Sequence, residues 1–112
     1  MLSIYICDDN LPFLEHLKKI IQNIMFMYDM DIDLTLTTSD PYAILSKIEP
    51  KLCPGIYFLD VDLQSEINGI ELAASIRQKD PRGFIVFITS HAEATPLTFQ
   101  YKVMNLMKWV NN

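Results

Sequence analysis

The chain has 112 residues, half of them hydrophobic and 21% charged, which suits one domain with one sizeable core and excludes intrinsic disorder. Its formal net charge of −5 argues against this segment gripping nucleic acid through phosphate neutralisation. No apolar run approaches the ~18 residues of a membrane-spanning helix, and no positively charged stretch precedes the first apolar segment, so that segment is expected to be a strand and not a signal peptide.

Strand and helix patterns alternate along the chain, which predicts βαβ units around a parallel sheet. Leu2–Cys7 is a near-continuous apolar run, fit for a strand covered on both faces. A helix is expected over 11–27, with Asn10 as its N-cap, Pro12 in its first turn and a stripe of Leu14, Leu17, Ile21, Ile24 and Met25. Over 32–37, Ile32, Leu34 and Leu36 alternate with Asp33, Thr35 and Thr37, as in a half-exposed strand near a sheet edge. A short helix is expected over 41–48, opened by Ser39-Asp40-Pro41.

The third strand is Ile56–Asp60. The turn signal Asn68-Gly69 leads into a helix over 70–79, with Ile70, Ala73, Ile76 and Arg77 along one side. Asp80-Pro81-Arg82-Gly83 turns into a fourth strand, Phe84–Thr89. A fourth helix is expected over 94–103 and a fifth strand over 106–110. The terminal helix that would cover that strand is missing. Cys7 lies within an apolar strand and reads as a small buried hydrophobe, and Cys53 lies in a Pro-flanked loop. With no metal spacing between them, a cytoplasm with reduced thiols is expected.

The informative residues are carboxylates at two strand ends. Asp8-Asp9 closes the first strand and Asp60-Val61-Asp62 closes the third. Alone, an acidic pair before a helix is more simply a cap and a dipole partner. The carboxyl ends of neighbouring parallel strands, however, meet in one crevice, and open α/β sheets place their sites there. Acidic groups sharing a site repel, so they need a cation or a raised pKa. An oxygen-only donor set suits Mg²⁺. Thr89-Ser90 closes the fourth strand at the same end, and a hydroxyl there either caps the next turn or bonds a phosphoryl oxygen. His91 reads as a loop histidine.

Taken in order, Asp8-Asp9, Phe58-Leu59-Asp60-Val61-Asp62-Leu63, Asn68-Gly69-Ile70-Glu71-Leu72 and Ile88-Thr89-Ser90-His91 resemble the receiver domain of two-component response regulators. Val86-Phe87-Ile88-Thr89-Ser90-His91 and the later Leu97-Thr98-Phe99-Gln100-Tyr101-Lys102-Val103 resemble the receivers of LytTR-family regulators, of the quorum-sensing, bacteriocin or competence type in Gram-positive bacteria. The resemblance implies a flavodoxin-like, doubly wound parallel sheet of order 2-1-3-4-5. It implies that residues 1–112 are a receiver, ending after strand five, with a C-terminal LytTR DNA-binding domain beyond Asn112 in the parent. It implies Asp60 as phosphoacceptor, and Asp8, Asp9, Asp60 and the backbone carbonyl of Asp62 as Mg²⁺ ligands. Thr89 would be the switch hydroxyl, and a sensor histidine kinase the phosphodonor.

Receivers usually carry a phosphate-binding lysine at the end of strand five. The natural alignment puts Asn111 there, with Lys108 three residues earlier. Two further readings stand beside the main one. A pseudo-receiver would share the fold without taking a phosphoryl group. A haloacid-dehalogenase-like phosphatase would use Asp60 as nucleophile and Asp62 as acid/base, but no Gly-Thr follows its Asp-x-Asp motif. An uncovered fifth strand, rich in Leu106, Met107, Trp109 and Val110, would drive self-association through strand five and helix four.

Overall fold

The computed structural model describes residues 2–29, 31–48, 54–89 and 102–104. In chain order they form β1 (Leu2–Cys7), α1 (Leu11–Tyr28), β2 (Ile32–Thr38), α2 (Pro41–Lys47), β3 (Ile56–Asp60), α3 (Gly69–Lys79), β4 (Phe84–Thr89) and β5 (Lys102–Met104). The sheet order is β2-β1-β3-β4-β5, and its first four strands are parallel. From β1 the chain moves outward to β2, then returns to place β3 on the other side of β1. The switch point of this flavodoxin-like order therefore lies between β1 and β3.

Strand alternation divides the core into two layers. Tyr5 and Cys7 of β1, Tyr57 and Leu59 of β3, and Ile85 and Phe87 of β4 face one side, against Ile44 of α2 and Leu72, Ala73 and Ile76 of α3. Ile4 and Ile6 of β1 and Ile88 of β4 face the other side, against Phe13, Leu14, Leu17 and Ile21 of α1. Helices on both faces explain why β1 and β3 read as apolar runs without alternation.

The N-terminal caps form where their residue types predict. Asn10 accepts the Phe13 N–H, and Asp40 accepts the Tyr42 N–H. Asn68 and Glu71 make a reciprocal capping box at the start of α3. The stripe of α1 holds at Leu14, Leu17, Ile21 and the partly buried Met25, gains the buried Phe13, and loses Ile24, which is 43% exposed. Ile24 belongs to the last turns of α1, which carry the exposed Phe26, Met27 and Tyr28.

β2 departs from simple alternation. Its pairing with β1 jumps from Ile4↔Leu34 to Tyr5↔Leu36, so Thr35 is an extra residue. A bulge of this kind reverses which face the following side chains meet. Ile32 and Leu34 accordingly pack on the α1 side and Leu36 on the α2–α3 side.

A fifth strand, antiparallel to the other four, forms where part of the fourth helix was expected. β5 is Lys102–Met104 and runs antiparallel to β4, pairing Phe87↔Met104, Ile88↔Val103 and Thr89↔Lys102. The helix expected over 94–103 therefore does not include 102 and 103. The rest of that helix, and the strand expected over 106–110, lie outside the described residues. The edge of β4 offers unpaired backbone groups to any extended segment that reaches it, and an antiparallel return needs no crossover helix.

Candidate metal and phosphoacceptor site

Parallel β1 and β3 end at the same level, with Cys7 paired to Leu59, so the residues that follow, Asp8 and Asp60, project from neighbouring strand ends. Asp8, Asp9 and Asp60 each offer a carboxylate oxygen, and these oxygens all lie within 4.8 Å of one another. Asp8 is 1% exposed and Asp60 is fully buried, while Asp9 is only partly buried.

One backbone amide holds each carboxylate. Asp8 Oδ1 accepts the N–H of Asn10 at 2.8 Å. Asp60 Oδ1 accepts the N–H of Asp62 at 3.0 Å. Asp9 Oδ2 accepts the N–H of Gln64 at 2.9 Å, which ties the loop after β3 to the loop after β1. Asp60 Oδ2 is buried and receives no hydrogen bond from the described residues. A buried carboxylate oxygen without a donor is costly unless a cation or a proton serves it.

The electrostatics agree. Burial pushes the Asp60 carboxyl up to about 7, the Asp8 and Asp9 charges push it the same way, and the Asp62 N–H opposes them. Three carboxylate oxygens in a largely buried acidic group fit a hard divalent cation such as Mg²⁺. The neighbouring Cys7 thiol is pushed up to about 12, chiefly by burial and then by the surrounding carboxylates. It is a free, buried thiol with no thiolate character at neutral pH.

The other expected site residues fall into two groups. Asp62 follows Asp60 on the exposed side of the loop, with its backbone at the acidic group. Thr89 ends β4 one residue beyond Ile88, the register partner of Asp60, so its backbone stands at the same end of the sheet. Asn111, Lys108, Ser90 and His91 lie outside the described residues. Two residues escaped the sequence reading of the site. Gln64 holds Asp9 through its backbone, which no side-chain pattern signals. Gly69 appeared only as a turn residue; a Cβ there would overlap the Asp60 carbonyl oxygen and sit 2.9 Å from Val61 Cα.

Comparison with known proteins gives a match to the response regulator receiver domain over residues 4–108. The chain belongs to this family. The receiver is 43% identical over 102 residues to accessory gene regulator protein A of Staphylococcus epidermidis, and 41% identical to that of Staphylococcus aureus. Both alignments cover 91% of the receiver but 43% of the relative, so the chain spans less than half the length of these proteins. Among solved structures, a response regulator from Thermotoga maritima in complex with Mg²⁺-BeF superimposes with a TM-score of 0.62 at 22% identity, over 88% of the receiver and 78% of that chain. This likeness is one of fold.

Proposed function

We propose that this receiver takes a phosphoryl group from a sensor histidine kinase onto Asp60, with Mg²⁺, and thereby switches the output of a parent regulator. The observation that carries the reading is the convergence of Asp8, Asp9 and Asp60, with the Oδ2 of Asp60 buried and served by no described donor. Asp8, Asp9, Asp60 and the Asp62 carbonyl would hold the cation. A bound Mg²⁺ supplies charge neutralisation for the carboxylates and for the incoming phosphoryl oxygens.

The chain's own residues do the rest. The Asp62 N–H holds Oδ1 of Asp60 and so orients the carboxylate for in-line attack. The Asp60 O–P bond forms as the P–N bond of the phosphohistidine breaks, and the leaving imidazole recovers its electron pair. The product is an acyl phosphate. Its added charge recruits the Thr89 hydroxyl, which biases the residues that follow β4. Asn111 or Lys108 would complete the phosphate contacts.

The wider assignment follows the relatives. Their name, accessory gene regulator protein A, supports a gene regulator; its LytTR, quorum-sensing type and its action in the cytoplasm belong to the proposal. In that reading residues 1–112 are the receiver and a further C-terminal domain of the parent contacts DNA. Among the described residues no helix is long and apolar enough to cross a membrane. Self-association through strand five and helix four remains part of the proposal.

The test is phosphorylation with a small acyl phosphate donor and Mg²⁺, read by intact mass and by hydroxylamine lability. One base-labile phosphoryl group is expected, and none on Asp60→Asn. Equal labelling of the two proteins overturns the assignment.

A further inference from the structure

Gln64 makes one contact to the acidic group and one to the loop beside it. Its backbone N–H donates to Asp9 Oδ2 at 2.9 Å, and its side-chain Nε2 donates to the backbone carbonyl of Asp62 at 3.1 Å. The Asp62 N–H in turn donates to Asp60 Oδ1. Alternate amides of one short loop thus hold two of the three carboxylates, while a neutral donor sits on the carbonyl assigned above to the cation.

We propose that the Gln64 side chain is a latch on the metal site, occupying the Asp62 carbonyl until a divalent cation displaces it. The inference rests on the reading of that carbonyl as a ligand. A hydrogen-bonded proton and a ligated Mg²⁺ both lie about 2 Å from the oxygen they share. The carbonyl oxygen has two lone pairs, but the partial positive charge of the donated proton and the charge of the ion repel across it, so each weakens the hold of the other. The dication holds the oxygen more strongly than a neutral amide does, and Gln64 is exposed, so water takes over its donor once it is released. The bond from the Gln64 backbone to Asp9 behaves differently. A carboxylate has room for about four lone-pair contacts, so that bond persists when Asp9 ligates. Gln64 is therefore a positioning residue: its backbone keeps the loop across the pocket, and its side chain sets how readily the carbonyl turns to the ion.

The experiment is a Mg²⁺ titration of the wild-type chain, Gln64→Ala, Gln64→Met and Asp60→Asn, by calorimetry and by ¹⁵N NMR of the Gln64 side-chain amide. Gln64→Met keeps the side-chain length and removes the donor. Both Gln64 variants should bind Mg²⁺ tighter by about two- to fivefold, the size of one exposed neutral hydrogen bond. In the wild type, the Gln64 Nε2 resonances should move with the same saturation curve as the backbone of Asp62. Affinity unchanged or weaker in both variants, or an unmoved side-chain amide at saturation, overturns the latch while the site assignment stands. Mg²⁺ binding that is absent from the wild type, or undiminished in Asp60→Asn, overturns the site assignment and the latch with it.

Discussion

Gly69, the first residue of α3, lies against the backbone carbonyl of Asp60, the last residue of β3. The Asn68–Glu71 capping box fixes where α3 begins, and the absent side chain of Gly69 lets that first turn approach the strand end. The same short contact sets the backbone from which the Asp60 carboxylate projects. Gly69→Ala should therefore cost about 1–3 kcal/mol of stability, as overpacking does. It should also weaken Mg²⁺ binding, because the β3 end must shift. Chemical denaturation and calorimetry on the same variant check both effects.

The raised Asp60 pKa makes the site pH-dependent. Mg²⁺ requires the ionised carboxylate, so its apparent affinity should increase as pH rises through about 7. A titration series between roughly pH 6 and pH 8 reads this. Affinity that is flat across the range would place the Asp60 titration elsewhere.

The same shift has a stability sign. The folded-state pKa of Asp60, about 7, stands above its ordinary value of 3.8, so the folded state binds this proton more tightly than the unfolded chain. The resulting stabilisation is fully present below the ordinary value and is lost as pH rises through about 7. Without a divalent cation, Asp60→Asn should therefore raise the Tm at pH 8 more than at pH 5. Saturating Mg²⁺ should reverse the order at pH 8 by stabilising only the wild type. Thermal melts of both proteins, with Mg²⁺ and with chelator, decide it.

The opposite end of the sheet provides a contrast. Tyr57 stacks on Tyr5 with ring centroids 4.8 Å apart, and its hydroxyl donates to Asp80 Oδ2 at 2.7 Å. The same oxygen accepts the Gly55 N–H at 2.9 Å. Burial and the bond to Asp80 hold the phenol proton well above the usual tyrosine range. Tyr57→Phe should cost about 1 kcal/mol, and Asp80→Ala, which strands both donors, about 2–3 kcal/mol. Neither should alter Mg²⁺ affinity, since both residues sit at the far end of β3 from Asp60.

Cys7 directly precedes Asp8 but should stay unreactive. With its thiol buried and pushed up to about 12, it should resist alkylation at pH 8 in the folded protein and react fully in denaturant. Mass spectrometry on a Cys53→Ser background isolates the thiol.

Much of this architecture is local in origin, and to that extent it is legible in the residues. Apolar runs ending in Asp8-Asp9 and Asp60, the N-caps Asn10 and Asn68, and Pro and Gly punctuation place four strands, three helices and the acidic crevice, because each depends on neighbours in the chain. Other features depend on what a segment meets after folding. The bulge at Thr35 places Leu34 and Leu36 on opposite faces of the sheet, although their spacing reads as one face. Lys102–Met104 pairs antiparallel with β4 where helical spacing was expected, because an open sheet edge accepts any extended partner. The Gln64 N–H meets Asp9 across 55 positions, through a backbone group that every residue except proline carries. Sequence alone therefore singled out the acids that converge, and only the tertiary structure decided which backbone groups hold them.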